Sequence, residues 1–99
     1  GFVVANSAIL SEVETVVFLS SEGAWLSQRG YANTIHELYF TPLQQLIEHF
    51  VEMGGIIWVC GSCFRKRDLS EDNLVLTSVV VGGAELVEFL SQGASCITY

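Results

Sequence analysis

Two cysteines separated by two residues, Cys60 and Cys63 in "IIWVCGSCFRKRD" (56 to 68), stand just ahead of Arg65, Lys66 and Arg67, three of the four basic side chains in the chain. A cysteine is nucleophilic only as its thiolate, and a cationic neighbourhood lowers the thiol pKa from a free value of about 8.5. The basic cluster is therefore expected to compensate an anionic sulfur at Cys60. The competing reading makes Cys60 a small buried hydrophobe that ends a strand, with the basic residues forming a solvated face.

Each chemistry open to a CxxC pair requires something more from the chain. A thioredoxin-like dithiol needs a proline facing the sulfurs, and the sole proline, Pro42, lies ahead of the motif at a helix start. A structural zinc site needs four ligands, and beyond Cys60 and Cys63 only Cys96, His36 and His49 are available. Sulfur transfer asks least: one activated thiolate that accepts sulfane sulfur as a persulfide and releases it by thiol exchange. In that chemistry Cys63 either resolves the persulfide or is a bystander.

These residues must be held by a small fold. The 99 residues make one domain, 1–99, close to the size at which core area becomes limiting. With 51% apolar residues, 15% charged residues and one proline, the composition is that of a folded globular chain. A formal charge of -7 argues against direct nucleic-acid binding, because phosphates would be repelled everywhere except at the one basic cluster. The longest apolar runs, "AILSEVETVVFL" and "LVLTSVVVGGAELVEFL", are broken by charges well short of the roughly 20 residues of a membrane span. Three cysteines do not make a disulfide framework, which points to a reducing, cytoplasmic setting.

The elements alternate along the chain. "FVVANSAIL" (2 to 10) reads as a buried helix and "ETVVFLS" (14 to 20) as a buried strand. "SEGAWLSQRGY" offers a possible single helical turn before a loop carrying His36 and Glu37. Thr41 is a natural N-cap with Pro42 at the first helical position and Gln44 closing a capping box, and Leu43, Leu46, Ile47, Phe50 and Val51 repeat on one helical face up to Gly54 and Gly55. "IIWVC" (56 to 60) reads as a central strand, "SEDNL" from Ser70 as a short helix, "TSVVVG" (77 to 82) as a strand, "GAELVEFLSQG" as a helix and "SCITY" as a last strand. This alternation predicts an α/β fold: an open, mostly parallel sheet of about five strands with helices on both faces, whose first strand is missing from this chain. In such sheets reactive groups gather at the carboxyl ends of the strands, which is where Cys60 falls. Glu22 and Gly23, at the turn after the "VVFLS" strand, are expected at that same edge, with Glu22 either a solvated acid or a hydrogen-bonding group at the pocket rim.

The order of these segments resembles the DsrE/DsrF-like family of sulfur-relay proteins. The matching stretches are "VVANSAIL", "VVFLSSEG", the "GY" with "TPLQQLIEHFVEMGG" leading into "IIWVCGSC", then "RDLSEDNLV" and "VVVGGAELVEFLSQGA". The resemblance places the family's sulfur-carrying cysteine at Cys60 and matches Cys63 to a second cysteine found in some subgroups. It implies homo-oligomers, trimers or hexamers, working with sulfur donor and acceptor proteins; separately, no cofactor and no resident metal are expected. Oligomers are also expected because a domain of this size and apolar fraction carries more apolar surface than it can bury alone.

Two functions are carried forward. One is a sulfur carrier or sulfurtransferase acting through Cys60 and Cys63, with Arg65, Lys66, Arg67 and Glu22 around them. The other is a non-catalytic oligomeric subunit or small-ligand binding module with structural or metal-binding cysteines. Trp25, Trp58 and Phe64 are expected to be core or subunit contacts, His36 an ordinary loop residue, and His49 a solvated residue on the polar face of its helix.

Overall fold

A computed structural model describes every residue except Glu37, so the loop reading of Glu37 lies outside the described residues. The first helix, α1 (Phe2–Leu10), leads into strand β1 (Val16–Leu19). Two 3-10 helices follow, Ser21–Ser27 and Tyr31–Thr34, then α2 (Leu43–Glu52) and β2 (Ile56–Cys60). The chain continues through α3 (Gly61–Lys66), a 3-10 turn at Glu71–Asn73, β3 (Ser78–Val81) and α4 (Gly83–Ser91).

The sheet has the order β1-β2-β3, and both pairings are parallel, with Phe18 opposite Trp58 and Cys60 opposite Val81. The α/β class and parallel pairing agree with the sequence, but among the described residues the sheet has three strands where about five were expected. "SCITY" forms no strand. Its Ile97 and Thr98 have the right propensity, but propensity acts only where a neighbouring strand is available to pair. The segment instead brings the Tyr99 ring within 3.5 Å of the position a side chain on Gly1 would take.

The period-two alternation of β2 explains why the sheet is covered on both faces. Ile57 and Val59 are fully buried and join one core with Phe2 and Ala5 of α1 and Ile47 and Phe50 of α2. Trp58 points the other way and meets Phe89 of α4 edge-on, with ring centroids 5.7 Å apart. The two helices on the first face are tied by Asn6, whose buried side-chain amide donates to Leu46 O at 3.0 Å.

The amphipathic pattern of α2 holds, but its start lies one residue later than expected. Pro42 is the N-cap, without a side-chain cap bond, and Gln44 is spent on Glu48 one turn on, Nε2 to Oε1 at 3.0 Å. The far end closes as a Schellman turn. Gly54 takes the left-handed conformation (φ 88°), its N–H donates to Val51 O at 3.1 Å, and Gly55 N–H donates to Phe50 O at 2.9 Å. That turn feeds directly into β2 and so sets where Cys60 emerges.

Gly55 has a second constraint. A Cβ added there would lie 2.4 Å from two ring carbons of Phe50, a side chain with no exposed surface and no room to swing. Gly55→Ala is therefore expected to destabilise the fold by roughly 1–3 kcal/mol through overpacking. An unchanged urea midpoint would show that this turn yields freely.

Candidate functional site

Cys60 is the last residue of the central strand and the N-cap of α3, held extended at φ -60° and ψ 120°. It is partly exposed. Its Sγ lies 3.2 Å from the Ser62 hydroxyl. That hydroxyl, followed by the Cys63 thiol and the Cys63 N–H, brings the Cys60 thiol down to about 7, against a small opposing effect of burial. The sulfur makes no cap hydrogen bond to α3. The nearby N–H groups of Cys63 and Ser62 nonetheless favour its anion.

The sulfur opens onto a cleft of about 300 Å³ formed by the β2–α3 turn (Cys60, Gly61, Ser62), Arg65, and the β3–α4 turn from Val80 to Gly83. This is the carboxyl edge of the sheet, where parallel α/β folds place ligands. The β3–α4 turn is fastened by the Glu85 carboxylate, which accepts from Gly82 N–H at 3.0 Å.

The three basic residues do not act as one cluster. Successive helical residues point about 100° apart, because a turn takes 3.6 residues. Arg65 folds back along the cleft, with its Nη1 3.1 Å from the position a Cβ on Gly61 would take. Arg67 turns to the other side of α3, donating to Cys63 O at 3.2 Å and to Glu22 Oε1 at 2.7 Å. Lys66 is exposed at the end of the helix. Of the positive charges considered from sequence, Arg65 is the one that lines the cleft with Cys60.

Glu22 lies with α3, as its position after β1 suggested, but its carboxylate is taken by Arg67 and it does not line the cleft. The pair is mostly solvent-facing on the Glu22 side, whose side chain is 83% exposed, so its contribution to stability is small. Next to Glu22 lies a contact that spacing could not have shown: Ser21 N–H lies 3.1 Å from Cys63 Sγ. Ser21 adopts φ 50°, a left-handed conformation uncommon outside glycine.

The other residues singled out from sequence lie away from the cleft. Cys96 is exposed on the C-terminal segment, His49 is exposed on α2, and His36 pairs with Phe40 O at 2.8 Å. Phe64 is buried in the core, Trp25 stacks on Tyr31 at 5.6 Å, and Trp58 meets Phe89. Among the described residues no group of three or more His, Cys, Asp or Glu comes together that could hold a metal ion. No helix among them is long and apolar enough to cross a membrane. Two functional groups escaped the sequence reading. Ser62 could have been found from its place inside the CxxC pair, within hydrogen-bond reach of a strand-end thiol. Ser21 could not, because 42 residues separate it from its partner.

A partly exposed cysteine closing the central strand of a parallel sheet makes this an α/β thiol protein. Residues 1–99 match the DsrE/DsrF-like family model, and the chain belongs to that family, which is associated with sulfur relay. It is similar to the uncharacterized protein MJ0989 of Methanocaldococcus jannaschii, 23% identical over 95 residues that make up 96% of this chain and 80% of that one. The uncharacterized protein MK0008 of Methanopyrus kandleri is 24% identical over 95 residues, 96% of this chain and 75% of that one. The crystal structure of the ychN protein from E. coli superposes with a TM-score of 0.75 at 19% identity, covering 94% of this chain and 77% of that chain, and so shares its fold.

Proposed function

We propose that the chain is an intracellular sulfur-relay protein in which Cys60 carries sulfane sulfur as a persulfide. The thiolate attacks the outer sulfur of a donor persulfide, forming a new S–S bond. The donor's S–S bond breaks, and its electron pair leaves with the donor thiolate. An acceptor thiolate then takes the outer sulfur in the same way and returns Cys60 to its starting state. No oxidant or cofactor is consumed.

The observation that carries this reading is the place of Cys60: a partly exposed sulfur at the carboxyl end of the central strand, opening onto a cleft and hydrogen-bonded to Ser62. Arg65 lines that cleft and brings a positive charge to it, a setting that favours an anionic sulfur. Family membership supports the same chemistry. Oligomerisation belongs to the proposal too, trimers or hexamers being the expected forms. Exposed apolar residues such as Val3, Leu10, Val79, Val87 and Ile97 are the surface such contacts would cover.

The test is alkylation against pH. Thiolate forms as pH rises through the thiol pKa, so a lowered value moves reactivity toward acid. Cys60 is expected to label with a midpoint near pH 7, while an unperturbed thiol has its midpoint near 8.5. Ser62→Ala removes the largest stabilising contact and should move the Cys60 midpoint back toward that free value. Labelling of Cys60 with the midpoint of a free thiol would instead favour a non-catalytic binding module or assembly subunit.

A further inference from the structure

The relay chemistry uses one cysteine and leaves Cys63 without a task. Cys63 packs against the hydrophobic core through its partly buried side chain, a place that a small apolar residue could fill. Its sulfur is nonetheless served by a polar group. Ser21 N–H reaches it at 3.1 Å, from a backbone conformation that serine adopts only at some energetic cost. An N–H aimed at sulfur is a directed polar contact that fixes where the sulfur sits, which a packing residue has no use for. The backbone of Cys63 is fixed as well, since Arg67 donates to its carbonyl and is itself held by Glu22.

Cys63 also stands where it can reach Cys60. Cys60 is the N-cap of α3 and Cys63 the third helical residue, two positions close enough that in a capping box each side chain reaches the other's backbone, and the Cys63 thiol is one of the groups that hydrogen-bond the Cys60 sulfur. All three cysteines are free, so the pair is a reduced dithiol.

We propose that Cys63 is a resolving thiol that discharges sulfur from Cys60 as hydrosulfide when no acceptor is docked. This rests on the relay reading for the loaded state. Cys63 Sγ attacks the inner sulfur of the Cys60 persulfide, and the Sγ–Sγ bond forms as the bond to the outer sulfur breaks. The electron pair leaves on the outer sulfur, and the proton of Cys63 goes with it as hydrosulfide. The sulfane sulfur is reduced, the two cysteines are oxidised to a disulfide, and a dithiol reductant must reopen that disulfide before the next cycle. Ser21 N–H holds the Cys63 sulfur in place for the attack.

The experiment uses Cys96→Ser as background, which removes the exposed third thiol. Protein incubated with a small persulfide donor and then freed of it is followed by intact mass and by released sulfide. The parent is expected to gain one sulfur atom transiently, then to lose it with equivalent sulfide and end two hydrogens lighter than the reduced protein. With Cys63→Ser added, the sulfur atom should stay on and sulfide release should be lost. A persulfide that lasts as long in the parent as in Cys63→Ser overturns the proposal.

Failure of both proteins to load sulfur would instead count against the relay function, and the resolving step is then read separately. An aromatic disulfide reagent forms a mixed disulfide on Cys60. Attack by Cys63 should expel a second aromatic thiolate in the parent and none in Cys63→Ser. A mixed disulfide that persists in the parent overturns the role of Cys63, whatever the source of sulfur.

Discussion

Phe50→Ala is expected to destabilise the protein by about 3–5 kcal/mol, the range for emptying a fully buried aromatic site. Phe50 has no exposed surface, meets Phe2 edge-on with centroids 5.8 Å apart, and lies in the same core as Ile57 and Val59 of β2. It therefore bonds α1, α2 and the central strand together, and its carbonyl accepts the Gly55 N–H that turns the chain into β2. A domain near 100 residues has a total stability of about 5–15 kcal/mol, so the loss takes a large share of it. The thermal midpoint should fall by on the order of 20 °C. Because the same core fixes β2, surviving folded protein should also show Cys60 labelling at several rates rather than one. A loss below about 1 kcal/mol would mean that the α2–sheet contact collapses around the cavity and is not the principal support of the site.

What could be read from sequence follows from which interactions are local. The face Leu43, Leu46, Ile47, Phe50 and Val51 is a helical period and needs no partner to be recognised. "IIWVC" is a buried strand by composition, and "SEDNL" does form a short turn, with Ser70 Oγ accepting from Asp72 N–H at 3.2 Å. The strand end at Cys60 followed directly from these elements. Tertiary context decided the rest. "SCITY" has strand-forming residues but joins no ladder, and "SEGAWLS" extends into a seven-residue 3-10 helix whose Ala24 and Ser27 are buried. The helix over "GSCFRK" is not among the elements read from the sequence. That omission hid the divergence of Arg65 from Arg67, which follows at once from helical geometry. The expected charge compensation of Cys60 by all three basic residues accordingly gives way to a hydroxyl, a neighbouring thiol and N–H groups close at hand, with Arg65 alone along the cleft.

The role of Cys60 is tested most directly by the intact mass of the protein and of Cys60→Ser after exposure to a sulfane-sulfur donor. Serine keeps the size of the side chain, but its alcohol is not ionised near pH 7 and cannot carry a persulfide. The substitution removes the sulfur without disturbing a core residue, so both proteins should remain folded with similar thermal midpoints. A gain of one sulfur atom at Cys60 is expected in the parent, with complete loss of that gain in Cys60→Ser. Sulfur loaded by Cys60→Ser at the parent's rate would contradict that role and move the nucleophile to another cysteine.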